Sequence, residues 1–247
     1  MSNLFKQFLF FLLFNFTFSE LPPFITPCSK SNPLLQYCIM HQIPRIMQVL
    51  KHGYPPMGFL PLDPLLLEAV EIPHDTINFE IKNLQINGLS KVKIEYLYAN
   101  PLKSSLELRL RFPQLSLQGF YRLKGPIYYF NIDSFGPAAM SFGDVVIHMV
   151  INFELVEIGD EIFYKMPLKP DDGQTMNVDI KKANVYFGNL IPNDPILNDR
   201  VNEMIRRTFF EAFQNVKPWV ISVLWEVFRI ISHPFLHNVN IDEMFDE

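Results

Sequence analysis

Between Thr76 and Leu190 apolar and polar residues take turns along the chain. Ile77, Phe79 and Ile81 alternate with Asn78, Glu80 and Lys82, and Leu106, Leu108, Leu110 and Phe112 alternate with Glu107, Arg109 and Arg111. Val145, Ile147, Met149, Ile151, Phe153 and Leu155 form a longer run of the same kind. A period of two buries one face of a strand and wets the other, which antiparallel sheets allow and all-parallel sheets seldom do. The turn signals between the runs are short: Asn87-Gly88, Gly125-Pro126, Gly136-Pro137, Gly159-Asp160 and Asp171-Asp172-Gly173. They leave no room for crossover helices, so the pattern predicts an antiparallel meander.

On either side of this block the period is helical. Leu35, Ile39, Ile43, Ile46 and Leu50 predict a helix within 34–52, stopped by Gly53 and Pro55-Pro56, with Pro44 marking a kink or a late start. Pro55, Pro56, Pro61 and Pro64 make the next stretch a stiff connector, too poor in donors for a central strand. From Val201 onward, residues such as Ile205, Phe209, Phe213, Val216, Val220, Val223 and Val227 fall within an arc of about 200°, twice what a helix on one flat sheet needs. Phe210, Trp225 and Phe228 occupy the far side, so the helix is expected to be enclosed. From Asp199 to Ile231 it would measure about 50 Å, against about 30 Å for a small domain. Pro218 should bend it near its middle. Such a rod is covered only by a sheet that rolls around it. The fold class expected is α+β, a short N-terminal helix and a long C-terminal helix wrapped by a highly curved antiparallel β-sheet.

At the N-terminus, Lys6 precedes the apolar run Phe8–Phe14, followed by Thr17 and Ser19. This is the layout of a secretory signal peptide, with cleavage expected after Ser19 and a single domain over 20–247. Losing Lys6 leaves 20 basic residues against 26 acidic ones, a net charge of −6. With no block of five like charges, the chain lacks the basic footprint of a nucleic-acid binder. The apolar stretch Pro218–Ile231 contains Glu226 and Arg229 and falls short of the roughly 20 residues of a span, so stable membrane insertion is not expected. Cys28 and Cys38 are the two cysteines. In an oxidising compartment they should be bridged, a small loop worth roughly 2 to 3 kcal/mol. Metal ligation is the weaker reading, since no further cysteine completes a four-ligand set.

Motifs for catalysis are missing. The chain has no Gly-x-Ser-x-Gly elbow, no His-Glu-x-x-His and no Gly-x-Gly-x-x-Gly loop. His233 and His237 have i, i+4 spacing, but Pro234 between them argues against a shared helical face and for two solvent-facing histidines. His148 sits on the outward phase of its strand and reads as a hydrogen-bonded surface residue. Asp63, before Pro64, reads as a turn or capping residue. No catalytic residue, metal or cofactor is expected.

Several blocks resemble one family. Leu21-Pro22-Pro23-Phe24-Ile25, Pro27-Cys28, Asn32 and Cys38 are similar to the N-terminal block of the insect takeout and haemolymph juvenile-hormone-binding proteins. Gly53, Pro55, Pro56, Gly58, Pro61, Asp63 and Pro64 resemble that family's next segment. Pro113, Leu115, Gly119, Tyr121 and Gly125, and then Asn189-Leu190, Asn198 and Asn202, continue the likeness over the whole mature chain. The chain departs from the pattern at Pro137, in a shortened Asn-Leu segment and in lacking a tryptophan at the helix start, Trp219 lying later. The single cysteine pair looks like the takeout branch. The resemblance implies a secreted, extracellular, non-enzymatic carrier that holds juvenile hormone, another terpenoid, a fatty acid or a similar molecule in an internal apolar tunnel.

The expected tunnel lining is Ile205, Phe209, Phe213, Val216 and Val220 from the helix, with Leu108, Leu110, Leu117 and Tyr121 from the sheet. A monomer is expected, with any receptor unidentified. Two other readings stay open: a membrane-surface lipid-transfer protein, and a secreted esterase that would need Ser134 or Ser141 within reach of a histidine.

Overall fold

The computed structural model describes residues 21–72, 78–127, 130–169 and 175–246. The expected signal segment and the Asp171-Asp172-Gly173 turn lie outside these residues. The chain runs β1 (Cys28–Ser29), α1 (Leu35–Leu50), β2 (Leu65–Ile72), β3 (Asn78–Asn87), β4 (Lys93–Asn100), β5 (Ser105–Ile127), β6 (Phe130–Asn152), β7 (Glu154–Ile158), β8 (Glu161–Lys165), β9 (Thr175–Phe187), α2 (Pro195–Asn238), α3 (Ile241–Met244) and β10 (Phe245–Asp246). The main sheet is antiparallel in the order β2-β3-β5-β6-β9.

It is not the simple meander the turn signals predict. β5 is long enough for β3 to pair with its second half and β4 with its first, both on the edge opposite β6. Gly136-Pro137 is not a turn but lies inside β6. Gly136 is there because a Cβ would stand 2.0 Å from the Gly188 carbonyl oxygen, so the chain crosses too closely for any side chain. β2 begins straight after the cis Asp63-Pro64 bond, with Leu65 fully buried and Leu66 exposed. The role expected of Asp63 takes a specific form: its carboxylate accepts from the Gly88 and Ser90 amides and the Ser90 hydroxyl, pinning the turn after β3. At that turn Gly88 has φ +101.

The curvature has a visible cause. Along β5 the inward positions are Leu108, Leu110 and Phe112, then Leu115 and Leu117, so the phase changes at Pro113. β6 changes between Val145 and Phe142, and β9 between Val178-Ile180 and Val185-Phe187. In register these breaks fall on one line across three strands, through Pro113, Asp144 and Lys181. Pro113 has no N–H to give the ladder, and Asp144 opposite it takes φ +58. A two-residue break turns each strand while keeping both halves facing inward. On the convex side the Asp144 carboxylate bridges Arg111 and Lys181, the latter at 3.1 Å, and the Arg111 hydrogen bond, then that of Lys181, holds its carboxyl below the usual range.

α2 lies in the resulting concavity and touches both edge strands, β2 and β9. Val223 and Val227 pack toward β2 and β3, whereas their neighbours Leu224 and Phe228 pack toward β5 and β6. The helix is longer than its apolar arc suggests, reaching Pro195–Asn238 through Pro218 and Pro234. Pro195 occupies the first turn, and the Asp194 side chain caps the Leu197 amide at 2.9 Å. The expectation of enclosure is met only in part: in the second half Trp225 is 1% exposed and its indole donates to the Pro167 carbonyl at 2.9 Å, but Ser222 and His233 there stand exposed. In the first half Met204 and Phe210 face outward, so there the rod is covered on one side. α1 likewise runs unbroken through Pro44.

Leu155 departs from the inward run: the chain leaves the sheet at Phe153, and Leu155 stands exposed on the separate β7–β8 hairpin. β1 and β10 pair in parallel, Cys28 with Phe245 and Ser29 with Asp246, joining the two ends of the described chain. Cys28 and Cys38 form the expected disulfide.

Candidate functional site

The inward positions of the sheet and of α2 do not meet everywhere. Between them lies an elongated cavity of about 870 Å³, within the usual range of roughly 300 to 1,000 Å³ for small-molecule sites. Its wall on α2 extends from Ile205 to Leu236, about 46 Å of helix at 1.5 Å per residue. β3, β4, β5, β6 and β9 supply the opposite wall, and Phe24, Ile25 and α1 close one end.

The structure places Ile205, Phe209, Phe213, Val216 and Val220 at this wall, together with Leu108, Leu110 and Leu117. Tyr121 is the one of the expected residues that does not reach the wall. It is 1% exposed and off the wall, stacked edge-on against Phe187, with its hydroxyl donating to the Gly188 carbonyl at 3.0 Å. Burial, with a smaller contribution from Tyr186, pushes this phenol up to about 12, so it stays a neutral donor. Tyr121→Phe should therefore cost about 1 kcal/mol of stability in urea titrations and leave ligand affinity unchanged. A loss of affinity without loss of stability would put Tyr121 back in the site.

The same reasoning from sequence missed the end cap of Phe24, before β1, and Ile43 and Met47 of α1, which all precede the main sheet. Met149 was visible in the inward run of β6, but nothing in a period of two separates residues facing a void from residues facing filled core.

The wall offers no reactive constellation. No Asp, Glu, Lys, Arg or His contributes to it among the described residues. The Ser134 hydroxyl is buried and donates to the Leu190 carbonyl at 2.7 Å, and Ser141 stands opposite Ser116 and Asn184, so among the described residues the strand partners of Ser141 and the hydrogen bond of Ser134 involve no histidine. His148 pairs with Glu107 at 2.8 Å on the outer face, as expected. His233 and His237 do share a helical face, because α2 continues through Pro234, and their rings stack at 5.2 Å. Among the described residues no group of three or more potential ligands gathers for a metal.

Comparison with known proteins adds to this geometry. A family model described as Haemolymph juvenile hormone binding protein (JHBP) matches residues 7–246. The solved structure of Takeout 1 from Epiphyas postvittana superposes with a TM-score of 0.71 at 20% identity, covering 90% of this chain and 99% of that one. A lipopolysaccharide binding protein structure reaches a TM-score of only 0.28 at 13% identity, over 70% of this chain and 37% of that chain, too little to bear on the fold. A sequence search of the curated proteins finds no match.

Proposed function

The chain belongs to the haemolymph juvenile hormone binding protein family, and from that premise we propose that it carries one elongated lipophilic molecule, a terpenoid, a long-chain lipid or a similar compound, in its central cavity. The observation that carries this reading is the cavity itself, a long apolar hollow inside a sheet whose residues otherwise pack to a core. Apolar burial supplies the affinity: at about 25 cal/mol per Å², a ligand hiding 300 Å² of hydrocarbon gains about 7 kcal/mol before the costs of association. Secretion belongs to the same proposal, with residues 1–19 removed and the Cys28–Cys38 bridge formed outside the cell.

Native mass spectrometry of protein secreted from expressing cells tests it. The expected result is a mass excess that disappears on organic extraction and a displaceable neutral naphthylamine probe. Repeated preparations with no adduct and no probe binding would sink the carrier reading.

A further inference from the structure

The cavity wall carries polar side chains almost entirely at one end. Thr26, Gln42, Asn100, Ser104, Tyr164 and Ser232 line it there. Their hydrogen bonds show that they are gathered. Gln42 exchanges bonds with the Thr26 backbone at 2.6 and 2.8 Å, and Gln36 ties α1 to the Ala99 carbonyl at 3.1 Å. The Tyr164 hydroxyl donates to the Pro101 carbonyl at 3.3 Å, and Ser232 reaches the Met166 sulfur at 3.8 Å, two residues from Tyr164. At the other end Val70, Phe79, Leu123, Met140, Phe187 and Ile205 form a wall with no polar side chain. β5 runs from one end to the other, from Ser105 to Leu123. Midway, Trp219 contributes an indole.

We propose that the cavity takes a single-headed amphiphile in one orientation, a neutral head group at the Asn100–Ser104 end and the tail toward Phe79 and Leu123, and that it rejects ionised heads. The proposal rests on the carrier reading and narrows its ligand class to alcohols, esters, ketones and the like. The Tyr164 and Ser232 hydroxyls give their own protons to Pro101 and to Arg229 or Met166, so their oxygens can accept from a ligand hydroxyl. An ester or ketone carries no charge whose water must be stripped, so a neutral head loses little on entering. An ionised carboxylate would be stripped of water beside an apolar wall holding no cation, a loss that is not recovered. A carboxylic acid should then bind only when protonated. With a carboxyl near 4.3, roughly one molecule in a thousand is neutral at about pH 7.4.

Among the described residues at this end of the wall, only the Tyr164 phenol titrates, and burial keeps it above its ordinary range although Ser104 pulls it down. The charged groups on the elements packed around it are Lys30 after β1, His41 and Arg45 of α1, Lys103 between β4 and β5, Glu154, Glu157, Asp160, Glu161 and Lys165 of the β7–β8 hairpin, Glu226, Arg229 and His233 of α2, and Asp242 and Glu243 of α3. All of them stand off the wall.

Displacement of the naphthylamine probe by decanol, methyl decanoate and decanoic acid between about pH 5.5 and 8.5 tests both halves of the proposal. Decanol and the ester should bind with no pH trend. Decanoic acid should lose about tenfold in affinity per pH unit and lie about a thousandfold below decanol at pH 7.4. Ala99→Lys, or Thr26→Lys at the more exposed rim, should raise decanoate affinity at least tenfold while decanol binding, which reports an intact fold, stays within threefold. Leu123→Lys should give no such rescue. Decanoate binding as tightly as decanol and without pH dependence would overturn the charge rule. Rescue by Leu123→Lys, or no rescue by either head-end lysine with decanol binding intact, would overturn the orientation. If neither the alcohol, the ester nor the acid displaced the probe at any pH, it would be the carrier reading that failed.

Discussion

Asn202→Leu is expected to destabilise the protein by about 2 to 5 kcal/mol, more than any other single polar substitution in the described chain. Asn202 is fully buried, and its side chain behaves as a missing strand. β9 is an edge of the sheet, and at Phe187 the outward-facing backbone would have no partner. The Asn202 amide supplies one on both counts, accepting from the Phe187 N–H at 2.7 Å and donating to the Phe187 carbonyl at 2.8 Å. It also donates to the Asn198 carbonyl at 3.0 Å, while Asn198 accepts from the Leu190 and Ile191 amides. Two asparagines one turn apart thus weld the start of α2 to the end of β9. Leucine has nearly the same volume, so packing is kept and the loss isolates the unpaired backbone groups. The measurement is the urea midpoint. A large fall at unchanged m-value is expected, and a shift below about 0.5 kcal/mol would mean that water replaces the amide at that corner.

These two asparagines were visible in the sequence only through resemblance, since a buried amide in an amphipathic helix reads as one more polar position. The inward faces of β5 and β6 were legible because Leu106 to Phe112 and Val145 to Ile151 alternate cleanly. What alternation could not show is the phase break at Pro113, Asp144 and Lys181, which needs the register of three strands to be seen as a line. The curved sheet was inferred instead from the helix, whose apolar arc is too wide for a flat partner. That argument reached the right architecture while overstating the cover over Met204 and Phe210.

Composition misled where a glycine serves contact and not turning. Gly136-Pro137 has the residues of a turn, yet the glycine is required by the Gly188 backbone, 52 positions away. β2 escaped because Leu65-Leu66-Leu67 shows no alternation, although one leucine is buried and the next exposed. The pairing of β1 with β10 joins residues more than 200 positions apart, beyond the reach of any local pattern. Tyr121 shows the finest limit. Its phase on β5 is inward like that of Leu117, but the corner at Gly188 fills the space in front of it, so the same pattern yields core at one position and cavity wall at the other.

The distinction between core and wall gives the second large effect, opposite in kind to the first. Val220→Trp should abolish most ligand binding and leave the fold as stable as before. Val220 is half-buried on α2, at the wall, packed toward the β5–β6 side of the cavity. A tryptophan there has a void to enter, so the usual penalty of about 1 to 3 kcal/mol for overpacking a filled core does not arise. An indole buries roughly 150 to 250 Å² of surface, and each Å² of wall it takes is denied to the ligand. At about 25 cal/mol per Å², losing even 100 Å² of ligand contact removes about 2.5 kcal/mol, or a factor of about 70 in Kd. Leu117→Trp should do the same in the other half of the cavity, so a ligand that extends through both must lose affinity to either plug. Probe titration and urea denaturation on the same samples decide the matter. Unchanged affinity in both variants, with stability kept, would mean that the ligand does not use this hollow.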